Sequence, residues 1–253
     1  MRIPSFFVLA LALVGFADVA GAGVSPYALF KNSVRRDPVW HEAAAVVNVG
    51  GCTGFHVTNT AGKHFVMSAR HCFKKQATQW CSNGGKFRKP DGEIGTCVRV
   101  VAGDTRHDIV LFEGAFPSPA QVTLSLASTP APERARLQMI GYPADIYRKG
   151  KLTVTENCWV LQTNVRSPHA DLLDTSSRHN CSTWGGNSGG PMILEESTVA
   201  IGLPFTYYPG NLNLHDAEMI STAAHLAQMS DFVQTFRTQL ESEGVVLDEI
   251  SSR

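Results

Sequence analysis

One serine stands among glycines in the segment Gly185–Pro191, Gly-Gly-Asn-Ser-Gly-Gly-Pro, about two-thirds of the way along the chain. A serine hydroxyl becomes a nucleophile when an imidazole takes its proton and a buried carboxylate orients that imidazole. Upstream, His71 follows an apolar run and Asp108 precedes one. These residue types predict acyl transfer, with His71, Asp108 and Ser188 as the catalytic set and the N–H groups of Gly186 and Ser188 as the oxyanion hole.

The serine segment fits two hydrolase signatures that belong to different folds. The first is G-x-S-x-G, a strand-to-helix turn whose acid and histidine follow the serine along the chain. Here two glycines and Pro191 lead into Met192–Leu194, an apolar strand-like run that does not begin a helix. The second signature needs histidine, aspartate and serine in that order, which is the order found here. The local context therefore favours the second signature.

Short apolar segments separated by turn residues dominate the chain, without long helices between them. This pattern predicts a β-barrel or β-sandwich. The predicted strands are Ala44–Val49, Phe55–Thr58, Phe65–Met67, Val98–Val101, Ile109–Phe112, Leu137–Ile140, Leu152–Val154, Trp159–Gln162, Met192–Leu194 and Val199–Leu203. The small, proline-bearing segment Ser125–Glu133 is predicted to link two halves.

One helix is predicted near the C-terminus. Ser230 is a good N-cap and Gly244 can end the helix. Four apolar residues share one helical face, Phe232, Val233, Phe236 and Leu240.

The N-terminus is predicted to be a secretory signal peptide. A basic residue precedes the apolar run Phe6–Phe16, which is short for a membrane-spanning helix, and Ala20–Ala22 supplies small residues for cleavage after Ala22. A single membrane anchor is the alternative. We expect residues 1–22 to be removed, residues 23–40 to be an N-terminal segment or short propeptide, and the protein to be secreted or periplasmic, with no membrane association after cleavage.

Charge and cysteine content narrow the class of protein further. Lys and Arg number 22, as do Asp and Glu, so no net positive charge favours a nucleic acid as partner. The six cysteines form an even set, and export makes three disulfides the expected state, for which the sequence alone allows about 15 pairings. No C-x-x-C or H-E-x-x-H spacing indicates zinc, so we expect no metal and no cofactor.

Three motifs together resemble those of the trypsin-like serine peptidases of the chymotrypsin fold. They are Ala69-Arg70-His71-Cys72, Asp108-Ile109-Val110-Leu111 and Gly186-Asn187-Ser188-Gly189-Gly190-Pro191. Each motif alone also fits an ordinary turn or loop, but the three occur in the family's order.

The resemblance implies an all-β fold of two packed antiparallel six-stranded β-barrels with a C-terminal α-helix. The first barrel would span residues 41–127, the second 128–229 and the helix and tail 230–253, with 41–244 forming one peptidase domain and the catalytic cleft between the barrels. The implied disulfides are Cys52–Cys72, Cys81–Cys97 and Cys158–Cys181.

The segment Ser182–Pro191 looks most like that of the secreted bacterial glutamyl-endopeptidase branch. That branch binds acidic side chains through a histidine, but Leu203-Pro204 stands at the corresponding position. Family members activated by a new N-terminus carry an aspartate where Asn187 stands, so we do not expect that activation route. By hand alignment, Ser182, Thr183, Thr206 and Asp216 line the specificity pocket, and Asp216 favours cleavage after Lys or Arg; a small residue is the alternative.

The resemblance therefore implies a secreted serine endopeptidase, most simply a monomer, acting on proteins or peptides without a cofactor. Two other functions fit the same residues. One is a catalytically silent, peptidase-like binding protein. The other is an esterase, because ester hydrolysis uses the same constellation.

Overall fold

The computed structural model describes residues 41–73, 76–104, 108–129, 131–144, 151–165, 176–179, 181, 185–206, 221–224, 231–248 and 250. The predicted signal peptide, 1–22, and the segment 23–40 lie outside these described residues. None of the described helices is long and apolar enough to cross a membrane.

The first half of the chain forms a closed antiparallel barrel of six strands in the order β1-β2-β3-β6-β5-β4. Its strands are β1 Val46–Val49, β2 Cys52–Val57, β3 His64–Ala69, β4 Lys86–Arg88, β5 Ile94–Asp104 and β6 Ile109–Ala115. A short helix, α1 (Ala77–Ser82), lies between β3 and β4. The closed barrel and the scarcity of helices confirm the predicted all-β class.

Aromatic side chains fill the interior of this barrel. Phe87 and Phe112 are fully buried with ring centroids 5.8 Å apart, and Phe73 lies 4.9 Å from Phe112. Trp80 of α1 packs 4.8 Å from Phe73 and 5.4 Å from Phe87. Such tilted pairs add about 0.5–1.5 kcal/mol each to the burial of the rings. The helix thus closes one side of the barrel core.

The second half forms a nine-stranded sheet in the order β13-β14-β10-β9-β8-β11-β12-β7-β15. Its strands are β7 Ser125–Ala127, β8 Arg136–Gly141, β9 Thr153–Val165, β10 Ser176–His179, β11 Met192–Leu194, β12 Val199–Gly202, β13 Pro204–Thr206, β14 Ser221–Ala224 and β15 Leu247–Asp248. Most pairs are antiparallel, but β7 runs parallel to β12 and to β15. One closed barrel and one larger sheet are consistent with the predicted double-barrel class.

The prediction that Ser125–Glu133 is a linker is wrong for its first three residues. Ser125–Ala127 is the strand β7, which is buried and pairs with β12 of the second sheet. Its Ser and Ala side chains are small because the strand packs inside the molecule, and small residues there do not mark a flexible connection.

The predicted C-terminal helix is confirmed as α2, Asp231–Ser242. Gly244 ends it with a φ of +79°, and the N–H of Val245 returns to the carbonyl of Leu240 at 3.0 Å. Leu240 is 1 % exposed and packs in a core shared by both halves of the chain. The side chains of Phe232, Val233 and Phe236 lie outside the described residues.

Three disulfides confirm the predicted pairing. They join Cys52 to Cys72, Cys81 to Cys97, and Cys158 to Cys181. Each closed loop is expected to stabilise the fold by about 3 kcal/mol in the chain-entropy model. Disulfides of this number are typical of proteins that fold outside the cytosol.

Candidate active site

His71 and Asp108 are brought together by the pairing of two neighbouring strands. His71 lies in the 3-10 turn that follows β3, and Asp108 immediately precedes β6. The last residue of β3, Ala69, lies opposite Ile109 of β6, so the chain ends that carry the two side chains are adjacent. The apolar runs Phe65–Ala69 and Ile109–Phe112 are buried, which fixes both ends against the core.

The Asp108 carboxylate binds His71 through both oxygens. Its Oδ2 lies 2.5 Å from Nδ1 of the imidazole, and its Oδ1 accepts the backbone N–H of His71 at 2.7 Å. Because an ionised carboxylate only accepts hydrogen bonds, the proton of the neutral imidazole belongs on Nδ1 and the lone pair on Nε2. The arrangement leaves Nε2 as a possible proton acceptor.

The backbone of Asp108 is held in an unusual conformation to make this contact. Its φ is +55°, in the left-handed region that few residues other than glycine adopt, and its carbonyl accepts the N–H of Arg70 at 2.8 Å. Such a conformation costs on the order of 1 kcal/mol and persists where the surroundings enforce it. The Asp108 side chain is 13 % exposed, whereas that of His71 is 45 % exposed.

The glycines around Ser188 allow its loop to pack tightly. Gly186 and Gly189 have φ values of +93° and +80°. A Cβ on Gly186 would overlap the carbonyl of Tyr142, and one on Gly189 would overlap the backbone of Ala69. The glycines thus serve close backbone packing, a role that the sequence pattern alone did not reveal.

The peptide between Gly185 and Gly186 has a fixed orientation. The carbonyl of Gly185 accepts the N–H of Ala144 at 2.6 Å. In a trans peptide the C=O and the next N–H point in opposite directions, so the N–H of Gly186 points away from Ala144. Among the described residues, none accepts a hydrogen bond from the backbone N–H of Gly186 or of Ser188. Two such N–H groups can bind a developing oxyanion.

Thr53 joins the serine loop to the first barrel. Its N–H donates to the carbonyl of Ser188 at 3.0 Å, and its hydroxyl donates to the carbonyl of Gly186 at 2.7 Å. The same hydroxyl accepts the N–H of Tyr142 at 2.9 Å. Thr53 is fully buried, and the hydroxyl of Ser68 donates to its carbonyl at 2.7 Å. The sequence contains no motif that would have singled out this threonine.

The histidine ring and the serine loop border the same disulfide. The sulfur of Cys72 lies 3.9 Å from Nε2 of His71 and 3.9 Å from the carbonyl oxygen of Ser188. The Ser188 side chain forms no hydrogen bond with His71 in the described structure. Contacts of this kind are often long before substrate binds and shorten in the complex.

In the described part of the chain, one group of three or more potential metal ligands lies close together, formed by Cys52, His71 and Cys72. Both sulfurs are joined in a disulfide. Metals bind the thiolate form of cysteine, which a disulfide does not offer. Of this group, only the histidine therefore has a donor atom for a metal.

Asn187 occupies a fully buried position beside Ser188. Neither atom of its amide has a hydrogen-bond partner among the described residues. A carboxylate in the same place would be a buried charge, which costs more than a buried neutral amide. The neutral side chain is thus the less costly choice for this environment.

The predicted specificity pocket lies largely outside the described residues. This applies to Ser182, Thr183 and Asp216. Thr206 ends strand β13, of which the backbone alone is described at that position.

A family model described as "Trypsin-like peptidase domain" matches residues 52–203, more than half of the chain. No curated protein sequence matches the chain.

Solved structures show a similar fold at low sequence identity. One is the Rv3671c protease in an inactive form, from M. tuberculosis H37Rv, with a TM-score of 0.54, 17 % identity, and coverage of 81 % of this chain and 91 % of that one. Another is the serine endoprotease from Yersinia pestis, with a TM-score of 0.56, 15 % identity, and coverage of 82 % of this chain and 69 % of that one. The family match, together with this shared fold, shows that the chain belongs to the trypsin-like peptidase family.

Proposed function

We propose that this protein is a secreted serine endopeptidase that hydrolyses peptide bonds through Ser188, His71 and Asp108. The observation that carries the proposal is the 2.5 Å contact between Asp108 Oδ2 and His71 Nδ1, formed at the end of β3 on which the Ser188 loop packs. This contact supports a role for Nε2 as the base, because it leaves the lone pair of the imidazole on that nitrogen.

The proposed reaction proceeds in two stages. Nε2 of His71 takes the proton of the Ser188 hydroxyl while Oγ attacks the peptide carbonyl, and the backbone N–H groups of Gly186 and Ser188 stabilise the oxyanion. The imidazolium then gives its proton to the leaving amine, which leaves an acyl-enzyme. Water, activated by the same imidazole, releases the acid product. Asp108 holds the tautomer and stabilises the imidazolium during both stages.

Alanine substitutions test whether the residues act as one unit. Ser188→Ala and His71→Ala should each lower kcat for casein by about 10⁴- to 10⁶-fold, and the double variant should be little worse than either single one. Independent, additive losses would show that the two side chains do not work together.

Two substrates, casein and a short-chain ester, separate the proposal from its alternatives. A silent binding protein would hydrolyse neither casein nor a short-chain ester, and an esterase would hydrolyse the ester alone. Casein hydrolysis by the wild type, absent from Ser188→Ala, is the result that the endopeptidase proposal requires.

The proposed preference is for Lys or Arg before the cleaved bond, supplied by Asp216 on the pocket wall. A carboxylate in a partly desolvated pocket attracts a cation more strongly than it does in water. Lysyl, arginyl, glutamyl and alanyl peptides should be compared in the wild type and in Asp216→Asn. A preference for basic substrates that Asp216→Asn leaves unchanged would overturn this assignment, as would the lack of such a preference.

The proposed location is outside the cytosol, in line with the three disulfides. Cleavage after Ala22 would leave Gly23 as the first residue, unless a propeptide is removed as well. N-terminal sequencing of the exported protein checks this. A mature chain that still begins at Met1 would contradict the proposed signal peptide.

A further inference from the structure

A cavity of about 470 Å³ lies on the outer surface of the first barrel. Asn48, Arg88 and Ile94 stand opposite one another across β1, β4 and β5 and form one row of its lining. Lys86 lies two residues before Arg88 on the same face of β4, and both are exposed, whereas Phe87 between them points into the barrel core. The strand alternation thus presents two cations to the cavity.

Trp80 and the turn after α1 form the opposite wall. Gly85 packs directly on the indole ring, since a Cβ there would lie 2.5 Å from Trp80 ring atoms. The Nε1 atom of Trp80 lies 3.7 Å from the point that a Cβ on Gly50 would occupy. The indole N–H donates a hydrogen bond to none of the described residues. Asn83 completes this side of the lining.

The polar lining carries two cations and further hydrogen-bond donors, and no acidic residue is among its lining residues. Lys86 and Arg88 form no ion pair with any described residue, and Lys86 Nζ donates a hydrogen bond to the neutral hydroxyl of Thr96 at 3.0 Å. The indole N–H of Trp80 and the amides of Asn48 and Asn83 can also donate. Ile94, 43 % exposed, adds an apolar surface. Such a lining is complementary to a carboxylate on an aliphatic stem.

The cavity is close to the proposed catalytic histidine. Gly50 lines it and is two residues from Cys52, whose disulfide leads to Cys72 and so to His71. Neighbouring Cα atoms are about 3.8 Å apart, and the Cα atoms of Cys52 and Cys72 are 6.2 Å apart across the disulfide. The Cα of Gly50 is therefore at most about 18 Å from that of His71, a distance that an extended peptide spans in about five residues. A substrate chain held beside His71 can therefore reach the edge of the cavity at Gly50.

We propose that this cavity, lined by Trp80, Lys86, Arg88, Asn48, Asn83 and Ile94, binds an acidic segment of the protein substrate within about five residues of the cleaved bond. The inference rests on the proposed endopeptidase function for the identity of the ligand. The anion preference itself rests on the donors and charges of the lining.

The test begins with binding, which does not depend on hydrolysis. Fluorescein-labelled tetraglutamate and tetraglutamine peptides are titrated against the full Ser188→Ala chain, followed by anisotropy. Because two cations face the peptide carboxylates, the Kd of tetraglutamate should be about fivefold lower than that of tetraglutamine at about 50 mM salt. This difference should be largely lost at about 0.5 M salt.

Charge-matched variants locate the binding. Lys86→Gln/Arg88→Gln should abolish the difference between the two peptides. The control Lys151→Gln/Arg237→Gln removes the same charge from exposed positions outside the cavity. This control should retain the difference in affinity between the two peptides. Equal affinity for the two peptides, or equal loss in both double variants, overturns the proposal.

A kinetic comparison extends the test to catalysis. A cleavable peptide extended by four glutamates should have a kcat/KM about fivefold above its glutamine counterpart in the wild type and equal to it in Lys86→Gln/Arg88→Gln. Binding that follows the prediction without hydrolysis of either peptide would reject the endopeptidase function and keep the anion site. Hydrolysis of both peptides at equal kcat/KM would reject the proposal that the cavity binds the substrate and would keep the endopeptidase function.

Discussion

At the scale of single residues, the Thr53 hydroxyl is the link between the two halves at the serine. It donates to the Gly186 carbonyl at 2.7 Å in a partly buried bond and accepts the Tyr142 N–H at 2.9 Å in a buried one. Valine has nearly the same shape but can make neither bond. The orientation of Gly186 and its neighbours would then depend on the remaining backbone contacts.

Thr53→Val is expected to lower kcat about tenfold while KM changes less than about twofold, because valine removes both hydrogen bonds of this hydroxyl, each worth roughly 0.5–1.5 kcal/mol, and tenfold corresponds to about 1.4 kcal/mol. Thr53→Ser, which keeps the hydroxyl, should restore most of kcat. Rates per active site, determined by titration, provide the measurement. A purely structural role would lower the fraction of folded protein and leave kcat per active site unchanged, which would contradict the prediction.

The sequence predicts His71, Asp108 and Ser188 as the catalytic set because three motifs occur together in the family's order, and of these residues the structure joins His71 to Asp108 by hydrogen bonds. Thr53 carries no such motif, since its partners Gly186 and Tyr142 lie far away in the chain and meet it only after folding. Ser182, Thr183 and Asp216 were placed by alignment alone. Local sequence motifs thus do not identify site residues whose partners are distant in the chain.

At the scale of elements, three kinds of contact hold α2 and the residue after it to the first barrel. One is a hydrogen bond from the Gln239 amide to the carbonyl of Val101 in β5 at 2.7 Å. Leu240 is buried in the shared core. At the surface, Arg99 of β5 binds Glu243 at 2.9 Å and Glu113 at 2.7 Å, and Lys63 binds Glu243 at 3.3 Å. The hydrogen bond from Arg99 is the main reason that the pKa of Glu243 is lowered. Because these side chains are partly exposed, solvent screens the network and we expect the buried leucine to dominate.

Leu240→Ala should therefore lower the free energy of unfolding by about 2–5 kcal/mol, the usual cost of a buried leucine. Glu243→Gln should lower it by less than about 1 kcal/mol. Urea unfolding followed by fluorescence measures both. A larger loss in Glu243→Gln than in Leu240→Ala would show that charge, and not burial, anchors the helix.

The strands with continuous apolar runs, such as Phe65–Met67 and Ile109–Phe112, were predictable because burial on both sides demands such runs. Lys86–Arg88 was missed because only its middle residue faces the core. Leu152–Val154 and Trp159–Gln162 were predicted as separate strands, but they belong to one long strand, β9, Thr153–Val165. Its pairing with β8 shifts register between Leu137 and Met139, an irregularity that interrupts the hydrophobic pattern.

At the scale of the whole molecule, a buried histidine links stability to pH. His56 of β2 is 1 % exposed, and neither ring nitrogen has a hydrogen-bond partner among the described residues. Burial lowers its pKa from 6.5 to about 3, with further lowering by Lys89 and His64 and an opposing effect of Glu93. Between about pH 6.5 and 3 the unfolded chain binds one more proton here than the folded chain, so stability falls as pH falls through this window.

In His56→Leu, the free energy of unfolding should therefore fall less steeply with decreasing pH, by up to about 1.4 kcal/mol per pH unit in that window. The exposed His41, changed to Leu, is the control and should leave the acid dependence unchanged. Urea midpoints measured between pH 7 and pH 4 provide the comparison. Parallel losses of stability in His56→Leu and the wild type would contradict this account.

The most direct test of the central claim is covalent labelling of the serine. The folded protein is treated with diisopropyl fluorophosphate and its peptides are mapped by mass spectrometry. The account predicts one adduct per molecule, on Ser188, absent from Ser188→Ala and formed orders of magnitude more slowly in His71→Ala, because the reagent reacts with an activated serine hydroxyl. No adduct on the folded wild type, or an adduct on another serine, would contradict it.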